Sequence, residues 1–222
     1  MKKINKVIVT AGGTREWIDP VRYISNASTG KMGYCIAKEF LQTDKEIIYI
    51  RGNVSDAYKN LINAKTIEVE TTEDLLENIL KEFTNGTLLI MAAAPADFKP
   101  VHKSEIKIKK KDSQEITLVL KPNPDILKTL NEKIQQNHWE NCVLVGFAAE
   151  THDLEKNARE KLKQKGLKFI IANQITSHSG FGEAKSSIKI FSQNGLEYQV
   201  FNSPKEIIAL EIVKFLEKKL ED

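Results

Sequence analysis

The feature that most limits what this chain can become is a series of short apolar runs separated by helical patterns. "KVIVT" (6–10), "EIIYI" (46–50), "TIEVE" (66–70), "TLLIMAA" (87–93), "CVLVGFAAE" (142–150) and "KFIIAN" (168–173) have the length and β-branched content of strands. Between them, helical spacing runs from about Lys31 to Leu41, from Ser55 to Ile62, and through "EDLLENILKEF", "DILKTLNEKIQ" and "DLEKNAREKLKQK". Strands that are apolar on both sides must be covered on both sides. The alternation therefore predicts an α/β fold, a mostly parallel sheet with helices on both faces. A last amphipathic helix, Pro204 to about Leu220, is expected on the same sheet.

Two segments break the rhythm and predict β-hairpin excursions. "EIKIKKKDSQEITLVLKPNPD" alternates apolar and charged residues on either side of "KKDSQ", which gives a projecting flap at about 104–121. "SSIKIFSQNGLEYQVF" reads as a second hairpin with Asn194-Gly195 at its turn. No repeat, linker or low-complexity tract divides the chain, so residues 1–222 are expected to form one domain.

Composition excludes several classes. The net charge of +3 comes from 33 basic and 30 acidic residues mixed along the chain, which is not the balance of a nucleic-acid binder. No apolar run approaches the roughly 20 residues of a membrane span. Cys35 and Cys142 show neither metal spacing nor a disulfide framework, so two reduced thiols and a cytoplasmic location are expected. His102, His138, His152 and His178 fall in four separate segments with no ligand spacing.

In an open parallel sheet, ligands bind beyond the carboxyl ends of the strands. Four such ends carry small and polar residues: the opening loop Ala11 to Gly30, "AAAPADFKP", "FAAETHD" and "NQITSHSGFGE". In the opening loop, Gly12 and Gly13 let a backbone approach a ligand closely. Ser28, Thr29 and Gly30 stand just before a helix whose first N–H groups can receive an anion. Standard phosphate motifs do not fit. "STGK" lacks the earlier glycine of a P-loop, and no Gly-x-Gly-x-x-Gly is present. The second strand ends "YIRGN", with no acidic residue for a ribose diol; Arg51 leaves a small opening for a 2′-phosphorylated cofactor.

Taken in order, "TAGGTREWIDPVRYISNASTGKMG", "AAAPADFKP", "KIKK", "NPDIL" and "GFAAET" resemble phosphopantothenoylcysteine synthetase, in its stand-alone bacterial form, from Lys6 to about Lys219. The resemblance implies a Rossmann-like fold and a ligase of coenzyme A biosynthesis. Such a ligase joins 4′-phosphopantothenate to L-cysteine through an acyl-cytidylate, with CTP as co-substrate, Mg²⁺ as cofactor and a homodimer as assembly. The same ligation driven by ATP, and a non-catalytic Rossmann-like nucleotide-binding module, stay open as alternatives.

The resemblance also assigns roles residue by residue. The triphosphate falls on Ser28, Thr29 and Gly30. Asp97 is similar to the residue associated with the nucleotide and its metal, and a carboxylate suits a hard cation. Ala93, Ala94 and Phe147 match positions that line the nucleotide and acyl site. Asn26 matches the amide of the second half-reaction, a donor able to meet growing charge on an acyl oxygen. Arg22 matches a residue expected to help bind phosphopantothenate. Lys107 opens "KIKK", whose neighbours Lys109, Lys110 and Lys111 make a basic flap tip; beside anionic substrates it is expected to neutralise charge and help exclude water.

Overall fold

The computed structural model describes residues 4–109, 115–150, 152–174 and 185–221. Its centre is an eight-stranded sheet built from β1 (Lys6–Ala11), β4 (Glu46–Arg51), β5 (Lys65–Glu68), β6 (Thr87–Met91), β9 (Val143–Glu150), β10 (Phe169–Gln174), β11 (Ser186–Ser192) and β12 (Gly195–Ser203). The order is β12-β11-β10-β9-β6-β1-β4-β5. All neighbours from β5 to β10 pair in parallel, while β10–β11 and β11–β12 are antiparallel.

The apolar runs form strands because both their faces are buried. Val7, Val9, Ile47, Tyr49, Leu88 and Ile90 join one core layer, under α1 (Lys31–Phe40) and α5 (Lys205–Glu221). Ile8, Ile48, Ile50, Leu89 and Met91 alternate with them into the opposite layer. That layer lies under α2 (Thr72–Glu82), α3 (Ile126–Gln136) and α4 (Leu154–Gln164). Helix starts are chemically marked: Thr71 and Asp74 form a capping box on α2, and the Asp125 side chain caps α3.

The structure departs from the sequence expectations in four places. The opening loop is not plain loop: β2 (Glu16–Asp19) and β3 (Arg22–Ile24) pair antiparallel within it. The helix expected over Ser55 to Ile62 shrinks to one 3₁₀ turn, Asp56–Tyr58. Within that segment Leu61 is buried but Ile62 is exposed, so no apolar stripe exists to dock a helix. The flap strands do not pair as drawn. β8 (Leu120–Pro122) pairs instead with β7 (Phe98–Pro100), and neither 105–109 nor 115–119 is a strand. The expected tip at 110–114, with Lys110 and Lys111, lies outside the described residues. In the last hairpin the turn residues are Gln193 and Asn194, one position earlier than expected, and Gly195 opens β12 with φ 121°.

Candidate functional site

The chain reverses its winding between β1 and β6. From β1 it steps outward through β4 to β5, then crosses back to β6 on the other side of β1. At such a switch the connecting loops diverge and leave a crevice beyond the carboxyl ends of the strands. A cavity of about 680 Å³ occupies that position. It is lined by the segment before α1, by the ends of β6, β9 and β10, and by side chains from α3 and α4. The volume is in the range of small-molecule sites.

Eight of the residues expected from sequence meet in this lining: Asn26, Ser28, Thr29, Gly30, Ala93, Ala94, Asp97 and Phe147. Gly30 is the residue before α1, with φ 80° and no side-chain cap. The Ser28 hydroxyl accepts from Gly30 N at 3.3 Å, and the Thr29 hydroxyl from Lys31 N at 3.5 Å. Phe147 is half-buried, packs against the core and also borders the cavity, so core and site readings both hold.

The loop from Ala93 to Asp97 is tied at almost every backbone group. Ala93 N donates to Thr10 Oγ1 at 3.0 Å, Ala94 N to Gly12 O at 2.8 Å, and Ala96 N to Thr14 Oγ1 at 2.9 Å. Asn26 Nδ2 donates to Ala94 O (3.3 Å) and Pro95 O (2.9 Å). From the far side, Asn123 Nδ2 donates to Ala96 O at 2.8 Å and Asn123 N to Asp97 O at 2.9 Å. Backbone tied in this way is held in place before any ligand arrives.

Four expected residues lie outside the lining. Gly12 and Gly13 meet protein: a Cβ on Gly12 would stand 2.5 Å from Asn53 O, and one on Gly13 would stand 2.7 Å from Asn26 O. Their close approach holds the opening loop against β4's loop and against Asn26. Arg22 is exposed and bonded to Asp19 and to Ile108 O. Lys107 is exposed, on the segment beside Ile108. Arg51 is buried and bonded to Lys59 O, Gly52 O and the Glu68 carboxylate, and it lines a separate cavity beside Arg15 and Lys59 rather than this one.

Sequence reading missed two cations of the site, whose lining also includes Lys31 and Lys205. Lys161 and Lys165, four residues apart on α4 and its C-cap, both line the cavity. Lys161 Nζ donates to Phe147 O at 2.9 Å. Burial holds its pKa below the ordinary lysine value, and the Lys165 charge pushes the same way. The carboxylates of Glu150, Asp97 and Asp125 oppose the shift. Asn173, at the end of β10, also lines the cavity, and its buried Oδ1 has no hydrogen-bond partner among the described residues. Asp97, Asp125 and Glu150 are the acidic side chains of the lining. No cluster of three or more metal-ligating side chains occurs among the described residues. One carboxylate beside bound phosphates is nevertheless the usual setting for Mg²⁺, and Asp97 fits it.

Fold and cavity together define a doubly wound α/β protein with a cation-flanked cavity at its topological switch. More particularly, residues 2–220 match the sequence profile of the DNA/pantothenate metabolism flavoprotein C-terminal domain, and the chain belongs to that family. It is 41% identical over 210 residues to the coenzyme A biosynthesis bifunctional protein CoaBC of Bacillus subtilis (strain 168), a match covering 94% of this chain and 50% of that protein. The crystal structure of the C-terminal domain of CoaBC matches with TM-score 0.80 at 32% identity, over 99% of this chain and 97% of that one. A Cab2 variant in complex with phosphopantothenate-cysteine shares the fold, with TM-score 0.69 at 19% identity over 98% of this chain and 89% of that one. The chain spans about half the length of the curated relatives it matches. Among the described residues, no helix is long and apolar enough to cross a membrane.

Proposed function

We propose that the chain is the ligase that joins 4′-phosphopantothenate to L-cysteine in coenzyme A biosynthesis, using CTP and Mg²⁺. The carboxylate attacks the α-phosphate of CTP and pyrophosphate leaves; the cysteine amine then attacks the acyl carbon of the acyl-cytidylate and CMP leaves. The observation that carries this reading is one cavity holding an anion-receiving helix start, four lysines (Lys31, Lys161, Lys165 and Lys205), the exposed carboxylates of Asp97 and Asp125, and a donor amide. It agrees with what the names of CoaBC and of the Cab2 complex say those proteins make or bind.

Each residue has a distinct task. The start of α1 and the hydroxyls of Ser28 and Thr29 hold triphosphate oxygens. Lys161 and Lys165 balance their charge from the opposite wall. Asp97 would hold Mg²⁺ together with the phosphates, and the ion would supply further neutralisation of the leaving pyrophosphate. Ala93, Ala94 and Phe147 leave a flat apolar slot for base and acyl chain. Asn26 Nδ2 is already aimed at the Ala94–Pro95 edge of that slot and turns to the acyl oxygen during amine attack.

Arg22 offers its guanidinium to the substrate phosphate, and Lys107 approaches from the segment 105–109. Both stand on the side of the molecule that carries exposed Val21, Tyr23, Phe98, Val119 and Leu120 on the two small ribbons. Apolar exposure of this kind is suited to an interface, and a homodimer through it is part of the proposal.

The test is pyrophosphate release from purified protein with Mg²⁺ and phosphopantothenate, comparing CTP with ATP, with and without cysteine. Faster release with CTP, and an amide product that requires cysteine, support the proposal. Preference for ATP replaces the nucleotide, and nucleotide binding without release under any condition leaves only a binding module.

A further inference from the structure

The β2–β3 hairpin carries a carboxylate that belongs to none of the roles above. Asp19 is fully buried. Its Oδ1 accepts the backbone N–H groups of Val21 and Arg22, both at 2.9 Å. Its Oδ2 accepts Arg22 Nε at 3.0 Å, Arg22 Nη2, and the backbone N–H of Ile108 at 3.1 Å. Arg22 Nη2 then donates to Ile108 O at 3.0 Å. The aspartate and the arginine therefore grip both polar groups of one residue, 86 positions along the chain from Arg22.

A carboxylate withdrawn from water is tolerated only when its lone pairs are met, and here a guanidinium and three amides meet them. Two of the three amides come from the carboxylate's own turn. The third is a distant peptide, and it lies between Lys107 and Lys109, both exposed. The same segment is tied to the hairpin a second time, where Ser104 N donates to Ile18 O at 2.9 Å. Holding Ile108 at both its N–H and its C=O restrains the two peptide planes that flank it, 107–108 and 108–109, and with the first of them the point from which the Lys107 side chain departs. A four-carbon lysine on a free segment would sweep a wide volume. On a clamped one it searches only its own rotamers.

We propose that Asp19 is a positioning residue for Lys107: with Arg22 it clamps the backbone of Ile108 at its N–H and its C=O, and so sets where the neighbouring lysine is presented to anionic substrate. This rests on the reading of Lys107 given under the proposed function. The clamp itself is geometric and does not depend on that reading.

The experiment compares Asp19→Asn, Lys107→Ala and the double variant in the full chain. Asparagine keeps the size of Asp19 but offers a single neutral acceptor oxygen. Loss of positioning alone lowers turnover about 100-fold, with the nucleotide KM held within about threefold of the original value. If Asp19 acts through Lys107, the double variant is no slower than Lys107→Ala alone. Independently of activity, native trypsin should cut after Lys107 or Lys109 about tenfold faster in Asp19→Asn, because cleavage follows the opened population of the segment. Arg22→Lys, which keeps the charge and loses the fork, should show the same faster cleavage, so a poorly folding Asp19→Asn leaves the clamp testable. Unchanged cleavage in both variants, or turnover losses that multiply in the double variant, would overturn the proposal. Faster cleavage in a protein without ligase turnover would uphold the clamp and count against the proposed function alone.

Discussion

The ammonium of Lys161 donates to the carbonyl oxygen of Phe147 across 2.9 Å, joining helix α4 to the strand end that borders the cavity. Under the proposed function, this places a positive charge on the wall opposite the start of α1. Lys161→Met keeps much of the stem and removes the charge. A hydrogen bond involving a charged group is worth about 1.5–3 kcal/mol, so nucleotide affinity should fall roughly 10- to 100-fold. Thermal stability should change little, because the variant also relieves a desolvated charge. Titration calorimetry with CTP and thermal unfolding check the two halves separately; unchanged affinity would remove Lys161 from the site.

The same lysine gives a pH dependence with a definite sign. Burial, helped by Lys165, lowers its folded-state pKa below the ordinary value of 10.5. In the folded protein it loses its proton earlier than in the unfolded chain. Its own contribution to stability therefore grows as pH rises through the lowered pKa, and is withdrawn as pH falls through it. Nucleotide binding runs the other way, since a polyanion favours the ammonium. Affinity should fall as pH rises through that lowered pKa, with proton uptake on binding that increases toward alkaline pH. Calorimetry in two buffers of different ionisation enthalpy measures the uptake directly. Equal uptake by the Lys161→Met variant would show that another group is responsible.

What could be read from the sequence follows from how local each signal is. The parallel strands were legible because Val7 to Val9, Ile47 to Ile50 and Leu88 to Met91 are apolar at every step, and only burial on both faces satisfies such a run. The β2–β3 hairpin was not, because its turn is built by Asp19 gripping its own backbone and Arg22 rather than by a glycine pair. Ser28 to Gly30 could be found because they sit immediately before a helix. Lys161 and Lys165 are two of several lysines on a strongly charged helix, and only their four-residue spacing hinted at a shared face. That this face turns to the cavity is decided by Ala158 and Leu162, which are buried against the sheet. Lys107 was legible as a motif, but its place outside the lining depends on Asp19 and could not be read from neighbours in sequence.

Gly33 shows how closely α1 rides on the sheet. A Cβ there would stand 2.5 Å from Thr10 O and 2.7 Å from Ala11 Cβ. Helix propensity alone would make Gly33→Ala stabilising by about 0.8–1 kcal/mol. Overpacking opposes it, at a typical cost of about 1–3 kcal/mol, because neither a carbonyl nor a strand Cβ can move aside cheaply. The net prediction is a loss of stability in urea unfolding. Nucleotide binding should weaken too, since α1 can relieve the clash only by lifting its anion-receiving end. A stabilised variant would show that the close approach is not tight in solution.

A buried chain of hydroxyls beneath the Ala93–Asp97 loop makes the last prediction. Glu16 is 3% exposed, and its Oε1 accepts both Thr72 N at 2.9 Å and Thr72 Oγ1 at 2.8 Å. With the Thr72 hydroxyl proton committed to the carboxylate, the contact of 2.9 Å between Thr14 Oγ1 and Thr72 Oγ1 requires Thr14 to be the donor. Thr14 in turn accepts from Ala96 N, and Asn123 Nδ2 leans on Thr72 Oγ1 at 3.3 Å. The direction of every hydrogen in the chain is thus set by a single acceptor-only group. Glu16→Ala leaves the buried Thr72 N–H unmet, at about 1–3 kcal/mol, and releases the Thr72 hydroxyl to donate to Ala96 O, 3.4 Å away, or to Thr14 Oγ1. Glu16→Gln can keep one acceptor oxygen in place and should cost less than half as much. If the chain also holds the loop, Glu16→Ala should raise amide exchange at Ala96 and Asp97 while Glu16→Gln leaves it nearly unchanged. Urea unfolding and hydrogen exchange on the two variants separate these effects, and equal losses from both would mean that the carboxylate's acceptors are not what hold Thr72.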